Sequence, residues 1–591
     1  MCGIAGEIAK DGPADVAAVW RMASQLDRRG PDGAGAWSSG RAALAHRRLS
    51  IIDLSATGAQ PMVDAQTGVA GVFNGIVYNY RELREELTAK GHRFFSTSDT
   101  EVLLKGWREW GDRFVERLYG FWAFCLVDTT TGRVLLGRDR LGIKPLYLAE
   151  TAGGLRFAST PRALLAGGGV DTAIDPVALH HYLSWHSVVP PPRTILAGVR
   201  KLHPATTLAL EPDGRRTETR YWQASFERDP DRADWSPEDW ERALLDALRV
   251  AVRRRMVADV PVGVLLSGGL DSSLIVALLA EQGQERLTTF SIGFASAGGE
   301  QGHEFDYSDL VAERFATDHR KIAVPDERLL PALPEAVRHM SEPMVSHDAV
   351  AFFLLSHEVA KEINVVQSGQ GADEVLAGYS WYQEIAAGGG DADARYRAAF
   401  FDRPHDEISR TVAPELRLDE DASAAFVAEH FGRPGAATAV DRALRIDTEV
   451  MLVDDPVKRL DTMTMAWGLE ARVPFLDHEV VELAAAIPPE LKLAEDGKGV
   501  LKRAGRTVLP REVVDRPKGY FPVPALRHIE GGFHELVHDT LTSRAARDRT
   551  LFHRGVVDRL LAEPNEHRTT LDGSKLWQVA LLELWLQQHD L

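Results

Sequence analysis

The sequence predicts two units in tandem, a strand-rich α+β unit followed by an α/β unit built on a parallel sheet. Three observations lead there. Short apolar runs bounded by turn residues fill the first 210 positions, strand-like and helical runs alternate from about 237 to 366, and the polar stretch Glu211 to Pro237 separates the two patterns.

In the first unit Gly71-Val-Phe73 runs into the turn Asn74-Gly75, and Phe121 to Val127, Arg133 to Leu136 and Leu155 to Ala158 read as further strands. The second unit opens with a helix from Pro237 to about Val257. There follow a buried-type strand (Pro261 to Leu266), a helix (Ser272 to Ala280), a strand (Leu287 to Ile292), a helix (Asp306 to Phe315), a strand (Lys321 to Val324), a helix (Ala349 to Lys361) and a strand (Ile363 to Val366). Such alternation means a parallel sheet with helices on both faces, which binds ligands beyond the carboxyl ends of its strands. From about Asp391 onward the reading is mostly helical. The expected domains are residues 1–215 and 235–591.

Hydrophobic residues make up 45% of the 591 and charged residues 26%, a globular balance. A net charge of −18 argues against nonspecific binding to nucleic acid or anionic membrane, both of which need a positive field. Two cysteines, Cys2 and Cys125, supply neither a disulfide framework nor a cysteine-rich zinc site. With no long apolar window and no secretory signal, the expectation is a cytoplasmic protein without membrane partners.

Cys2 has a side chain small enough for the initiator Met to be removed, which would leave a thiol and a free α-amine on one residue. That amine titrates near pH 8, so its neutral fraction can take the thiol proton. Taken alone, Cys2 is an incidental residue at a terminus; its company downstream changes this. Arg48 precedes the strand-like run Leu49-Ser50-Ile51-Ile52, Asn74-Gly75 can present a side-chain amide and a backbone N–H to an oxyanion, and Asp99 stands at a helix start. An Arg for a carboxylate, an Asp for an ammonium and an Asn/Gly oxyanion hole would hold a free amino acid such as glutamine.

These residues fall within Met1-Cys-Gly-Ile-Ala-Gly6, Arg29-Gly-Pro-Asp32, Arg48 to Asp53, Asn74 to Asn79, Ser98-Asp-Thr-Glu101 and Arg138 to Tyr147, six ordered runs that resemble the class II, N-terminal-nucleophile (Ntn) glutaminase domain. The resemblance implies that Cys2 attacks the glutamine carboxamide and releases ammonia. It also implies that Arg48 and Asp99 clamp the glutamine backbone groups, with Leu49, Ser50, Ile51, Ile52 and Ile76 beside them, while Asn74 and Gly75 stabilise the oxyanion. Two positions depart from the family pattern: Arg28 where a His is common and Ile76 where a Glu is common.

In the second unit, Val264-Leu-Leu-Ser-Gly-Gly-Leu-Asp-Ser-Ser273 ends a buried strand in Ser267-Gly268-Gly269 and opens a helix at Asp271-Ser272. Glycines let the backbone approach phosphate oxygens, and the helix start favours anions. No Lys-Ser/Thr follows, so this is not a P-loop of the usual kind. Gln367-Ser-Gly-Gln-Gly-Ala-Asp-Glu374 lies past another strand, and Asp271 and Asp373 are hard oxygen ligands suited to Mg²⁺ at a nucleotide's phosphates. Lys498, by itself a surface lysine, could offset charge on a reacting acyl phosphate.

Ser267 to Ser273, Ser368 to Glu374, Met463-Thr-Met-Ala466 and Leu469 to Asp477 resemble the synthetase domain of the asparagine synthetases, an ATP-pyrophosphatase fold. The resemblance implies that Leu265 and Ile292 flank the adenine of ATP, and that Ser267 to Ser273 (Gly268, Gly269, Asp271 and Ser272 included), Ser368 and Gly369 hold the nucleotide. An acceptor carboxylate would attack the α-phosphate, and ammonia from Cys2 would pass through an internal tunnel to displace AMP. Members that make asparagine typically carry Glu where this chain has Gln370, and Thr462 stands where Arg is frequent. The runs around Gln370, Trp381-Tyr382 and Met463 to Arg472 look like a sibling group, the N-acetylglutaminylglutamine amidotransferases. The expected partners are therefore glutamine and a carboxylate acceptor, an acylated dipeptide first and aspartate as the alternative; a homodimer is an option the sequence leaves open. Ring-closing β-lactam synthetases share the layout but lack the terminal nucleophile. Cys125 reads as packed core, Phe121-Trp122 as core, Trp381 as a candidate for the acceptor pocket, and His180-His181 as helix surface without a ligand set.

Overall fold

A computed structural model describes residues 2–284, 286–294, 304–517, 519 and 528–591. Twelve strands build the first unit: β1 (Gly3–Ala9), β2 (Gly33–Ser39), β3 (Ala42–Arg48), β4 (Met62–Asp64), β5 (Val69–Val77), β6 (Gly120–Asp128), β7 (Val134–Arg138), β8 (Tyr147–Thr151), β9 (Gly154–Ala158), β10 (Val199–Lys201), β11 (Thr206–Leu210) and β12 (Arg216–Arg220). They form two antiparallel sheets, ordered β10-β8-β9-β1-β3-β2 and β12-β11-β7-β6-β5-β4. Side-chain alternation gives each sheet one face for the other: Ile4, Ile8 and Leu44 of the first pack on Val72, Cys125 and Leu136 of the second. The helix Val16–Ser24 packs outside the first sheet and the helix Thr100–Trp110 outside the second, completing an α-β-β-α sandwich. Cys125 is fully buried in its core, as the sequence suggests.

Five parallel strands carry the second unit, β13 (Val262–Leu265), β14 (Thr288–Phe294), β15 (Asp318–Val324), β16 (Val365–Gln367) and β17 (Glu470–Arg472), in the order β15-β14-β13-β16-β17. The strand order reverses between β13 and β16, so the loops after these two strands open on one crevice. Helices make up most of the chain from Asp391 on, interrupted at 447–457 by two wide π-type turns; Pro456, which lacks an amide hydrogen, lies in the second. Among the described residues no helix is long and apolar enough to cross a membrane.

Several sequence expectations change. Asn74-Gly75 lies inside β5 rather than in a turn after it, and Leu49 to Ile52 form a loop rather than a strand. The polar stretch 211–237 is not only connector: residues 216–220 form the outer strand β12, whose exposed Arg and Glu side chains keep that sheet edge soluble. The fifth strand, β17, falls in the region read as helical. His180 and His181 are buried, at 3% and 4% exposure, because the helix Ala422–Gly432 lies over them.

The units meet through buried charge as well as apolar contact. Asp461 accepts from Arg29 at 2.9 and 3.3 Å and from Lys144 at 2.7 Å. Burial opposes ionisation of Asp461, but the two cations overcome it and bring the carboxyl down to about 2. Lys201 in turn reaches Asp454 at 2.6 Å and Glu342 at 3.0 Å. Breaking one partner of such a buried set costs about 3–5 kcal/mol, because the other charge stays uncompensated.

Candidate active site

Cys2 lies just ahead of β1, over the end of β5. Its backbone N–H donates to Asn74 Oδ1 at 3.0 Å, and its Sγ lies 3.9 Å from the Leu49 carbonyl. Burial pushes the thiol up from its ordinary value. Asn74 is fully buried, and its Nδ2 has no hydrogen-bond partner among the described residues. An unpaired donor beside a nucleophile is what an oxyanion site requires, since it costs nothing to reorganise when charge develops. At Gly75 a Cβ would stand 2.2 Å from the Phe121 carbonyl, so only glycine lets β5 and β6 approach so closely.

A pocket of about 30 Å³ adjoins the thiol, lined among others by Arg48, Leu49, Ile51, Ile52, Gly75, Ile76 and Asp99. Ser50 is not among its walls; its amide instead donates to Asp32 at 2.7 Å. Arg48 is steered by the backbone carbonyls of Ser55 (2.9 Å), Ile52 and Asp53. Asp99 accepts from the Val77 amide at 3.0 Å, yet burial pushes its carboxyl up to about 6. Ile76 is buried and offers no charge, leaving two carboxylates on the pocket: Asp99 and Glu470, the latter from β17 of the second unit. Glu470 is held by Arg472 Nε at 2.6 Å, which overrides burial and brings it down to about 2. Arg29 completes the wall behind Cys2, donating to its carbonyl at 3.4 Å while paired with Asp461. Sequence reasoning passed over Glu470, Arg29 and Asp461 as site residues: each lies in or beside a quoted run, but nothing local says that they converge.

The second site is a cleft of about 710 Å³ at the crevice between β13 and β16. Leu265, Ser267, Gly269, Asp271, Ser272, Ile292, Ser368, Gly369, Gln370, Asp373 and Lys498 all line it. The loop after β13 braces itself: Ser267 Oγ lies 3.1 Å from Ser272 Oγ, and the Gly269 amide donates to Ser267 Oγ at 3.3 Å. Gly268 stands behind the wall at φ +77°, where a Cβ would meet the Ser308 amide at 2.6 Å. A Cβ on Gly369 would be 2.9 Å from Asp271, so the two loops seat on each other through bare backbone. The helix Leu270–Glu281 has no side-chain cap, which leaves its first-turn amides for anions.

Lys498 reaches Asp271 Oδ2 at 2.7 Å and Asp373 Oδ1 at 3.0 Å; burial disfavours its charge, but the two carboxylates hold it firmly protonated. It is presented by a strained turn in which Glu495, Asp496, Gly497 and Lys498 all have φ between 55° and 99°. Asp348 and Arg459 line the same cleft, Arg459 also holding Asp455 at 3.0 Å. Trp381 does not line it among the described residues; the ring stacks on Tyr379, which does. Thr462 also faces away, toward the first unit, 3.3 Å from Ser341.

A thiol beside an oxyanion donor in one unit and a phosphate-type crevice in the next define a glutamine amidotransferase joined to a nucleotide-dependent ligase. Family comparison agrees. Residues 1–222 match the glutamine amidotransferase domain and residues 243–587 match asparagine synthase. The chain is 31% identical to asparagine synthetase [glutamine-hydrolyzing] 1 of Bacillus subtilis, over 99% of this chain and 96% of that protein. It is 30% identical to asparagine synthetase B [glutamine-hydrolyzing] of Escherichia coli, over 88% and 82% respectively. The chain belongs to the glutamine-hydrolysing asparagine synthetase family, an ATP-using group of class II amidotransferases.

Proposed function

We propose that the protein makes asparagine from aspartate, glutamine and ATP. In this reading Cys2, freed of Met1, gives its thiol proton to its own amine while Asn74 Oδ1 orients that amine. The thiolate adds to the glutamine carboxamide, and Asn74 Nδ2 and the Gly75 amide receive the oxyanion. Ammonia leaves, and water then releases glutamate from the acyl-enzyme. Asp99 takes the glutamine ammonium and Arg48 its carboxylate.

In the cleft, the aspartate side-chain carboxylate attacks the α-phosphate of ATP and pyrophosphate leaves; ammonia then attacks the activated carbonyl and AMP leaves. Asp271 and Asp373 aim oxygens at one point, the Lys498 nitrogen, so they fit a divalent cation, which when bound would neutralise phosphate charge. Lys498 would then turn from them to the reacting phosphate.

What supports aspartate over an acylated dipeptide is the pair Asp348 and Arg459 on the cleft wall. A free amino acid brings an ammonium and a carboxylate that this pair can match, whereas an N-acylated acceptor has no ammonium to offer Asp348 and would leave it to Arg459 and His186. The full-length likeness to asparagine synthetases points the same way. Thr462, offered by sequence as a sign of another acceptor, stands outside the cleft. The dipeptide reading keeps one observation, Gln370 on the wall where a carboxylate is usual. Pyrophosphate and amide product measured with ATP, glutamine and either aspartate or N-acetylglutaminylglutamine decides between them. Turnover with aspartate is expected; turnover with the dipeptide alone would reverse the assignment.

The sheet edge supports passage of ammonia between the sites. β16 and β17 are parallel neighbours: Ser368 follows β16 into the cleft, and Glu470 opens β17 on the glutamine pocket. The paired strands thus present one residue to each chamber, Glu470 at the start of β17 and Ser368 just past the end of β16.

A further inference from the structure

His180 sits mid-helix in Pro176–Ser184, within the span that matches the amidotransferase domain. His405 opens the helix His405–Thr411 and Asp421 precedes the helix Ala422–Gly432, both within the synthase span. None of these three side chains lines either catalytic chamber. His180 Nε2 lies 3.0 Å from His405 Nδ1 and 3.8 Å from Asp421 Oδ1, and the three ligand-type atoms all fall within 4.8 Å of one another. We propose that His180, His405 and Asp421 form a binding site for a first-row transition-metal dication of the Zn²⁺ type, which pins the helix of the first unit to two helices of the second.

The ligand chemistry selects the cation. Two imidazoles and one carboxylate suit Zn²⁺, Co²⁺ or Ni²⁺ and are poor for Mg²⁺, which prefers an all-oxygen octahedron. Metal–ligand bonds of about 2.0–2.1 Å in a tetrahedral arrangement place neighbouring ligand atoms roughly 3.3 Å apart. The observed 3.0 and 3.8 Å straddle that spacing, so small side-chain rotations suffice.

The surroundings prepare the ligands. His180 Nδ1 and His181 Nδ1 both face Ser423 Oγ, at 2.9 and 3.0 Å. When the serine hydroxyl donates to His181, its oxygen accepts from His180 Nδ1–H, which fixes the tautomer that turns the lone pair of Nε2 toward His405. Asp421 Oδ1, the oxygen that faces His180, also accepts from the Ala424 amide at 2.9 Å, which orients the carboxylate. His405 and Asp421 are half-buried, so a solvent molecule can fill the fourth position.

The test uses the full-length protein without a polyhistidine tag, stripped with a chelator. Co²⁺ is titrated while its visible absorption is followed, then displaced with Zn²⁺; melting temperature is measured with and without Zn²⁺. One equivalent of Co²⁺ with tetrahedral-type absorption is expected, displaced by Zn²⁺. His405→Ala and Asp421→Asn should each weaken binding at least about tenfold, and His405→Cys, which restores a ligand, should recover it. Zn²⁺ should raise the melting temperature of the parent and not of His405→Ala, with Mg²⁺ raising neither through this site. Equal Co²⁺ binding by parent and His405→Ala, no stoichiometric binding by the parent, or an equal response to Mg²⁺ would each overturn the assignment.

Discussion

The glutamine pocket and the nucleotide cleft differ in volume more than twentyfold, about 30 against 710 Å³, and in how their walls are made. The small pocket is assembled from backbone: strand β5, the loop 49–55 and the amide of Val77 place nearly every polar group, and the second unit closes it with Glu470. The cleft is assembled from charge: Asp271, Asp373 and Lys498 hold each other across it, with Lys498 delivered by a run of left-handed residues. The cleft already has room, and substrate has only to exchange its charges for those of the protein. One chamber is therefore ordered largely by backbone contacts and the other by side-chain charge.

The sharpest way to break this division is Cys2→Ala. Glutamine-dependent synthesis should fall about 10⁴-fold while synthesis from added ammonium persists; loss of both would mean that the chambers are not separable. Next, Asp373→Asn should slow pyrophosphate release by about 10²-fold and leave glutamine hydrolysis close to the parent, measured on the two half-reactions separately. An unchanged pyrophosphate rate would remove Asp373 from the cation site.

The electrostatics of the small pocket give two finer tests. Asp99, held up to about 6 by burial, must be ionised to take an ammonium. The kcat/KM for glutamine should therefore fall as pH drops through about 6, with the corresponding limb of kcat at lower pH, because the bound ammonium favours the carboxylate. Identical limbs in both profiles would detach Asp99 from substrate. The smallest effect is expected of Glu470→Gln. Removing a like charge near Asp99 lowers the pKa of that carboxyl, so the acid limb of kcat/KM should move down by about half a pH unit, an influence reaching the first unit from the second.

Much of this was legible in the chain. Strands such as β6 and β13 announce themselves by apolar runs ended by turns, and the Ser267 to Ser273 loop by glycines between a buried strand and a helix, since those signals are local. Cys2, Asn74, Asp99 and Asp373 could be nominated because the chemistry proposed for them needs particular residue types in ordered runs. β17 was not. Glu470-Ala471-Arg472 carries no strand signal of its own and is extended only because β16 offers it a ladder. Glu470 thereby becomes a wall of a pocket formed by residues 370 or more positions earlier. His180 misled for the same reason: a histidine pair on a short helix looks solvated until Ser423, His405 and Asp421 arrive from over 220 residues downstream.

The sequence by itself determined the two-unit plan and nominated Cys2 as nucleophile and the loops after β13 and β16 for phosphate, because periodicity, glycine placement and short ordered runs act over a few residues. Only the tertiary structure decided that Thr462 turns away from the cleft while Asp348 and Arg459 line it, and that Glu470 and Asp461 serve the other unit's nucleophile. Those outcomes depend on which surfaces are desolvated together, and burial of charge is a property of the packed molecule that no segment of chain carries alone.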